Sequence, residues 1–189
     1  FTQWGLDYAQ FRGATGCERA VQARLRCLFE SGTWGNLRQL NRPAIIELVD
    51  DAGLRHHLLL VRLAGESATL LLAGQRYEIP LADVGRLWFG KYLALWSPPE
   101  AGERMVRRGM RGAPVAWVRD TLARYGLPRA SSPASETFDT ELEAQVKEFQ
   151  RRHQLQDDGV VGKMTLVYLS SYSGSASAPA LSGSTQVEA

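Results

Sequence analysis

Apolar residues in the last third of the chain recur at the three- and four-residue spacing of a helix face. Leu142, Val146 and Phe149 are the clearest case. This spacing predicts a helix with one buried face, and we expect the polar residues 150–153 that follow it to face water. Asp139, which precedes the apolar positions, is the predicted N-cap of this helix.

Similar units of a turn followed by a short helix lie on either side of this segment. The earlier unit enters its helix after the glycine-containing residues 109–112 and stops at Gly126. The later unit begins with an acidic glycine turn at 158–162 and runs to Leu169. Each helix is too short to be stable alone. The three units therefore predict one small three-helix bundle, which we place at residues 105–172.

The preceding residues, 1–99, show strand-length apolar runs instead of helical spacing. A helix is expected at about residues 18–23, and the turn residues 50–53 between two apolar runs predict a hairpin. The sheet should be mostly antiparallel, so the predicted fold class is α+β. The predicted strands are 25–29, 43–49, 57–63, 68–72, 77–79 and 93–96.

Two segments interrupt these patterns. Residues 97–102 contain two adjacent prolines and a glycine, which predicts a stiff, extended connection between two domains. Residues 173–189 are rich in serine, alanine and glycine, so we expect a disordered tail. We therefore divide the chain into a mixed domain at 1–99, a helical domain at 105–172 and this tail.

The composition is that of a globular protein. The chain has 189 residues, 44% hydrophobic and 22% charged, and is long enough for two small domains. No run reaches the roughly 20 consecutive apolar residues that cross a bilayer. The net charge of +2, spread over interspersed basic and acidic residues, disfavours nucleic acid as a partner. The sequence starts at Phe1 without a methionine or a leader, and we expect it to be part of a longer protein.

Cys17 and Cys27 are the only cysteines in the chain. They flank a predicted helix and the connection to the next strand, so they are candidates for a disulfide, which would indicate an oxidising compartment. The alternative is two unrelated buried thiols. The three histidines and two cysteines show none of the close spacings of zinc sites. We therefore expect neither a metal site nor a cofactor.

The three helical units together resemble the peptidoglycan-binding domain of many cell-wall hydrolases. The resemblance covers about residues 105–169 and rests on the turn glycines, the Phe149-Gln150 pair and the 158–162 turn, which occur in the family's order. It implies a three-helix bundle that binds the glycan and peptide strands of the wall in a shallow groove, without chemistry. The candidate groove residues are Gln150, Arg151, Asp158, Gly159 and Thr165.

Each polar residue of this set also has a purely structural interpretation. Asp158 could cap the following helix, and Thr165 could bond to its own backbone. Gln150 and Arg151 could be ordinary solvated surface. The motif is therefore better evidence for the domain than for any single contact.

The mixed domain resembles the papain-like peptidases that process bacteriocin leaders. The resemblance rests on three runs, 37–46, 56–60 and 88–90. A peptidase of this kind needs a thiolate nucleophile, an imidazole base and a group that orients the imidazole. By the resemblance, the nucleophile would lie upstream of Phe1 or be absent.

The catalytic set is incomplete in the residues at hand. His56 or His57 occupies the position of the base, but Ala73 and Gly74 stand where the orienting acid is expected. Cys17 is a poor substitute nucleophile, because the neighbouring acidic residue opposes thiolate formation. We expect the two histidines to lie on opposite faces of a strand, one packed and one exposed. The prediction is a degenerate domain without catalytic residues.

A degenerate peptidase-like domain followed by a peptidoglycan-binding domain is similar to the periplasmic region of the general secretion pathway protein A family of type II secretion. The cysteines around a helix, the runs 40–44 and 47–51 and the 158–162 turn agree with that family. The resemblance implies a periplasmic location and a parent protein anchored in the inner membrane of a Gram-negative bacterium. A periplasmic location favours the Cys17–Cys27 disulfide.

The predicted function is a non-enzymatic module that binds peptidoglycan and helps to place the secretin pore through the cell wall. The implied partners are peptidoglycan and general secretion pathway protein B, and through the latter the outer-membrane secretin. The alternative is a cell-wall hydrolase or cysteine peptidase with an attached wall-binding domain. A nucleic-acid reader is disfavoured, because the acidic residues Asp157 and Asp158 would face phosphates.

Overall fold

The computed structural model describes residues 1–128, 136–173 and 178–181. They form two compact units. The first holds residues 1–96 together with 178–181, and the second begins at Ser97. The sheet lies in the first unit and the three long helices in the second, so the predicted α+β fold class is confirmed.

The first unit is built on one sheet. Its strands are β1 (Arg26–Ser31), β2 (Ala44–Val49), β3 (Arg55–Ala64), β4 (Ser67–Leu72), β5 (Gln75–Pro80) and β6 (Trp88–Trp96). Their order across the sheet is β1-β6-β2-β3-β4-β5, and every neighbouring pair is antiparallel. The predicted hairpin joins β2 to β3, where the Asp50 carboxylate accepts hydrogen bonds from the amides of Ala52 and Leu54.

One face of the sheet is buried in the core of this unit. Along β2, Ala44, Ile46 and Leu48 are buried, whereas Ile45 between them is 37% exposed. This alternation is that of a strand with one face in the core. Three short helices and two 3-10 turns accompany the sheet: α1 (Gly16–Gln22), α2 (Trp34–Leu40), α3 (Leu81–Gly85), Thr2–Trp4 and Tyr8–Gln10.

The pattern of apolar residues did not predict α2. The helix begins at a capping box, in which the Thr33 hydroxyl accepts a hydrogen bond from the Asn36 amide and the Asn36 side chain accepts one from the Thr33 amide. Its Leu37 and Leu40 are buried. The capping bonds and this burial stabilise a helix too short to be recognised from periodicity.

The second unit is a three-helix bundle made of α4 (Ala113–Tyr125), α5 (Thr140–Arg152) and α6 (Lys163–Ser170). Gly126 ends α4 in the left-handed conformation with φ of 99°. The predicted N-cap is confirmed, because the Asp139 carboxylate accepts a hydrogen bond from the Leu142 amide at 2.8 Å. The fully buried apolar residues of the bundle include Val115, Val118, Leu122, Leu142, Val146, Phe149 and Leu169.

The segment at the end of α5 differs from the expectation that residues 150–153 face water. Arg151 and Arg152 are exposed, but Gln150 and His153 are only 1% and 5% exposed. His153 lies four positions after Phe149, and Gln150 directly follows Phe149. Both therefore lie on the side of the helix that the apolar residues bury. The Gln150 amide is hydrogen-bonded in this position, whereas the His153 ring packs among aromatic rings.

Four residues of the expected disordered tail lie against the sheet unit. Leu181 is 1% exposed, and its carbonyl accepts a hydrogen bond from the Leu63 amide at 3.3 Å. Residues 178–181 therefore differ from the expectation of disorder, because an apolar side chain finds a buried position there. The rest of the predicted tail after Ser173 lies outside the described residues, at 174–177 and 182–189.

Candidate functional site

The acidic glycine turn before α6 is held by one buried side chain of α5. The Gln150 amide nitrogen donates to the Asp158 carboxylate at 3.0 Å and to the Val160 carbonyl at 2.9 Å. The same nitrogen lies 3.2 Å from the Thr165 hydroxyl. The Gln150 amide oxygen accepts a hydrogen bond from the Gly159 amide at 2.9 Å. Four of the five predicted groove residues therefore lie together.

These four residues divide into buried and exposed members. Gln150 and Thr165 are buried at 1% and 4% exposure, so they fix the shape of the turn. Asp158 is exposed, and its carboxylate also accepts a hydrogen bond from the Val160 amide at 2.8 Å. Gly159 is also buried, so a ligand can reach the Asp158 carboxylate but not the other three members of the cluster.

Gly159 is required by both its conformation and its neighbours. Its φ is +76°, and a Cβ atom there would lie 2.8 Å from side-chain carbons of Glu143 and Lys147. The turn therefore packs directly on α5. Lys147 donates to Glu143 at 2.9 Å, and Arg108 lies 3.6 Å from the same carboxylate. The hydrogen bond from Lys147 holds the pKa of Glu143 below its ordinary value.

Arg151, the fifth predicted residue, lies apart from the Gln150 cluster. It is exposed and pairs with Glu148 at 2.8 Å and with Asp157 at 3.7 Å. Hydrogen bonds from Arg151 and Arg152 hold the pKa of Glu148 below its ordinary value. Exposed pairs of this kind exchange partners readily, so Arg151 is available at the edge of the turn.

Sequence reasoning missed an ion pair between a buried arginine and a partly exposed aspartate in the bundle. Arg119 of α4 is 8% exposed, and it bonds to the Asp139 carboxylate at 2.5 Å and to the Thr137 carbonyl at 2.8 Å. Burial raises the pKa of Asp139, but hydrogen bonds from the Leu142 amide and Arg119 outweigh it and hold this pKa below its ordinary value. Arg119 directly follows the buried Val118 in α4. Its place next to an apolar position of the helix was the sequence feature that could have indicated its burial.

His153 was also missed as a buried residue. Its ring is surrounded by those of Phe149, Tyr168, Tyr125 and Tyr172, with centroid distances of 4.3, 5.3, 5.4 and 5.8 Å. Neither ring nitrogen has a hydrogen-bond partner among the residues described. Burial lowers the pKa of His153. The apolar residues of α5 recur at helical spacing, and His153 continues that spacing four positions after Phe149. This pattern could have predicted that His153 is buried.

The peptidase-like unit contains no thiol. Cys17 and Cys27 are bonded to each other and are the only cysteines of the chain, so the disulfide prediction is confirmed and neither can act as a nucleophile in this form. His56 and His57 are both exposed, at 53% and 60% of their side chains. The expectation that one of them is packed is wrong, because the β3 end that carries them extends beyond the core.

Each histidine has an acidic neighbour. The His56 ring nitrogen lies 2.7 Å from the Asp50 carboxylate, and the His57 ring nitrogen lies 3.6 Å from that of Glu47. The hydrogen bond with His56 holds the pKa of Asp50 below its ordinary value. A papain-like site needs a thiolate beside such a pair, and both cysteines of this sequence are in the disulfide.

One face of the sheet carries a partly exposed apolar row. Phe29, Leu93, Ile45 and Leu59 lie opposite one another on β1, β6, β2 and β3, and Phe29 is 65% exposed. Two cavities of about 340 and 360 Å³ adjoin along this row, since Ile45 and Leu93 line both. We call this surface the sheet groove.

A charged cluster lies at one end of the sheet groove. The Glu47 carboxylate is 3.4 Å from Lys91, 3.6 Å from His57 and 3.8 Å from Arg55. Two permanent cations therefore share one carboxylate, which leaves an excess of positive charge beside the apolar row.

Among residues 1–128, 136–173 and 178–181, no group of three or more His, Cys, Asp or Glu side chains is placed to hold a metal ion. Within the same residues, no helix has the length and apolarity needed to cross a membrane.

Both units match known families. Residues 1–98 match the family model described as "GspA, peptidase C39-like domain". The chain belongs to this family. Residues 111–169 match the model described as "Putative peptidoglycan binding domain". Both resemblances inferred from the motifs are thereby confirmed.

Individual relatives agree with this assignment. General secretion pathway protein A of Aeromonas hydrophila is 30% identical over 171 residues, which cover 90% of this chain and 30% of that protein. A relative from Escherichia coli (strain K12) is 30% identical over 167 residues, which cover 88% of this chain and 33% of the relative. The chain thus spans about a third of the length of these two relatives.

A solved structure resembles most of the chain. It is a periplasmic domain of the EpsAB fusion protein of the Vibrio vulnificus type II secretion system, with a TM-score of 0.58 and 26% identity. The match covers 89% of this chain and 73% of that one. The similarity therefore includes residues from both units.

Proposed function

We propose that this chain is a non-enzymatic module that binds peptidoglycan in the periplasm and helps to place the secretin of a type II secretion system through the cell wall. The observation that carries the proposal is the helical bundle, whose 158–162 turn is ordered by Gln150 within a match to a peptidoglycan-binding family. The relatives named for general secretion support the pathway. In this proposal an inner-membrane anchor belongs to the parent protein.

The binding residues we propose are those of the Gln150 cluster and its edge. Asp158 would accept hydrogen bonds from sugar hydroxyls and amides, and the buried Gly159 would hold the turn close against α5. Arg151 would pair with a peptide carboxylate at the edge. Gln150 and Thr165 would act by holding the turn, because their side chains are buried.

The chemistry of the first unit favours a binding role over catalysis. Both cysteines are consumed by the disulfide, and the histidines have acidic neighbours but no nucleophile. The alternative, a hydrolase or cysteine peptidase, needs a cysteine that precedes Phe1 in the parent protein. Thiol-sensitive cleavage of a peptide by a parent chain that carries such a cysteine would support this alternative and contradict the non-enzymatic proposal.

Co-sedimentation with purified sacculi tests the proposed wall binding. The chain should pellet with insoluble sacculi at physiological ionic strength and should stay in solution with cellulose as the control polymer. It should release no soluble muropeptides during the incubation. A chain that stays in the supernatant with sacculi at every ionic strength would exclude wall binding, and released muropeptides would favour a hydrolase.

We assign the sheet groove to general secretion pathway protein B as the protein partner. Its exposed apolar row would bury aliphatic or aromatic side chains, and the excess positive charge around Glu47 would attract an acidic side chain of the same segment. The contact with the secretin would be indirect, through this partner.

A further inference from the structure

A loop before α4 concentrates positive charge on one edge of the bundle. Residues 104–111, which we call the arginine loop, contain Arg104, Arg107, Arg108 and Arg111 and no acidic residue. All four arginines are exposed. Elsewhere in residues 97–176 there are seven Lys and Arg against ten Asp and Glu. The charge of this edge is therefore a local feature and not a property of the whole unit.

The arginine loop is held in place by its backbone. Val106 is buried and exchanges two hydrogen bonds with Val161, at 3.1 and 2.8 Å. The Gly109 amide donates to the Phe138 carbonyl at 2.9 Å, and the Phe138 amide donates to the Met110 carbonyl at 2.8 Å. The loop therefore keeps a defined path, and its arginines project from a fixed support.

The loop lies beside the candidate binding turn. Val161 belongs to the 158–162 turn, so the bonds between Val106 and Val161 fix the arginine loop directly to it. Arg108 also reaches Glu143 at 3.6 Å, on the face of α5 against which Gly159 packs. The two surfaces are therefore contiguous.

Most of the positive charge of the loop is uncompensated. Of the four arginines, only Arg108 has an acidic side chain within ion-pair distance among the described residues, and Lys147 already pairs with that carboxylate. Three guanidinium groups therefore face solvent without an acidic partner in the described structure. Guanidinium groups bind carboxylates through paired, charge-assisted hydrogen bonds.

We propose that the arginine loop is an anion subsite that binds the free carboxylates of the peptide stems of peptidoglycan. This inference rests on the proposed wall binding and assigns its ligand chemistry. The glycan strand offers hydroxyls and amides, which suit the 158–162 turn, whereas the peptide stems supply the negative charge. The turn and the loop would thus contact different parts of the same polymer.

The test compares three proteins, the wild type, a loop variant and a control variant, on two polymers. The variant R104Q/R107Q/R111Q removes the three uncompensated charges and keeps Arg108, and the control R12Q/R62Q/R76Q removes three exposed arginines of the first unit. Each is measured by co-sedimentation on native sacculi and on sacculi whose carboxyl groups have been amidated. Circular dichroism and thermal unfolding confirm that the variants fold.

The wild-type chain and the control should bind native sacculi equally and lose about tenfold in affinity when the carboxyl groups are amidated. The loop variant should bind native sacculi about tenfold more weakly and should lose most of the sensitivity to amidation, with Arg108 and Arg151 accounting for the remainder. Equal binding by the loop variant and the wild type would overturn the subsite. So would a wild-type affinity unchanged by amidation. Absence of wild-type binding to any sacculi would instead contradict the proposed wall binding itself.

Phosphate groups of a membrane surface are the competing anion. Vesicles of phosphatidylglycerol and phosphatidylcholine are therefore floated with the wild type and the loop variant. If the wild type floats, the loop variant does not, and both still bind sacculi equally, the loop is a lipid-binding surface and the carboxylate subsite is wrong. Absence of flotation with retained sensitivity to amidation supports the carboxylate subsite.

Discussion

A single side chain, Gln150, determines the conformation of the 158–162 turn. Its amide group donates to Asp158 and Val160 and accepts from Gly159. A side-chain amide carries a hydrogen-bond donor and an acceptor on the same carbon. It can therefore bind one backbone carbonyl and one backbone N–H of the turn at the same time. Asparagine carries the same amide group, but its side chain is one methylene shorter and would not reach as far.

Removal of this amide should loosen the turn. In Gln150→Ala, the buried Gly159 amide loses its acceptor, and we expect a loss of about 2 kcal/mol in the free energy of unfolding of the bundle. Hydrogen exchange should show lost protection of the Gly159 amide. Gln156→Ala is the matched control, because Gln156 is exposed. Equal stability and equal protection in the two variants would contradict this role.

At the scale of the elements, the three helices of the bundle meet around His153. Tyr125 comes from α4, Phe149 from α5 and Tyr168 from α6. An imidazole enclosed by aromatic rings is favoured in its neutral form, because burial removes the water that stabilises the cation. Arg152 lies over the ring of Tyr125 at 6.0 Å and adds a positive charge near the cluster.

The bundle should therefore lose stability in mild acid. The folded-state pKa of His153 lies below its ordinary value of 6.5, so the unfolded chain binds a proton first as the pH falls through that value. The stabilisation is complete above pH 6.5 and decreases below it. Between pH 7.5 and 5.5 we expect a loss of about 1 kcal/mol, or about 5 °C in Tm.

Scanning calorimetry of variants assigns this pH dependence to its residue. His153→Phe keeps an aromatic ring in the cluster and should remove the dependence between pH 7.5 and 5.5. His57→Gln changes an exposed histidine and should retain it. A His153→Phe variant whose Tm still falls as in the wild type would show that another group titrates.

The elements differ in how well the sequence predicts them. The helices α4 and α5 have apolar residues at regular spacing, with Gly126 and Asp139 at the predicted stop and cap, and these features are local. The helix α2 was missed because its seven residues contain only three apolar side chains, Trp34, Leu37 and Leu40, which is too short a run for helical spacing to be recognised. Its formation depends on a capping box and on burial in the sheet unit.

The candidate site was predictable only in part for a related reason. The motif correctly grouped Gln150, Asp158, Gly159 and Thr165, because they are near one another in sequence and the family order identified them. The motif could not distinguish buried residues that hold the turn from exposed residues that can contact a ligand, because a polar side chain is by itself expected to face solvent. The partners that make burial of Gln150 favourable exist only once the turn is folded.

At the scale of the whole molecule, the two units present surfaces of different chemistry. The bundle combines a polar turn with the arginine loop, which suits a hydrated and charged polymer. The sheet groove is an apolar row beside a cationic cluster, which suits a protein segment. One unit would hold the wall while the other binds a protein, as expected of a module that positions an assembly in the wall.

Substitutions in the sheet groove should weaken binding of the periplasmic region of general secretion pathway protein B without affecting wall binding. Phe29→Asp removes an apolar side chain that is 65% exposed, so folding should be retained, and we expect the Kd measured by calorimetry to rise about tenfold or more. Lys91→Glu reverses one charge beside Glu47 and should slow association, most strongly at low salt. Leu72→Asp, at a residue 52% exposed on β4 and outside the groove, is the matched control.

Unchanged binding in both groove variants, or an equal loss in the control, would place the partner elsewhere on the molecule. A loss of sacculi binding in the groove variants would instead show that the two surfaces do not act separately.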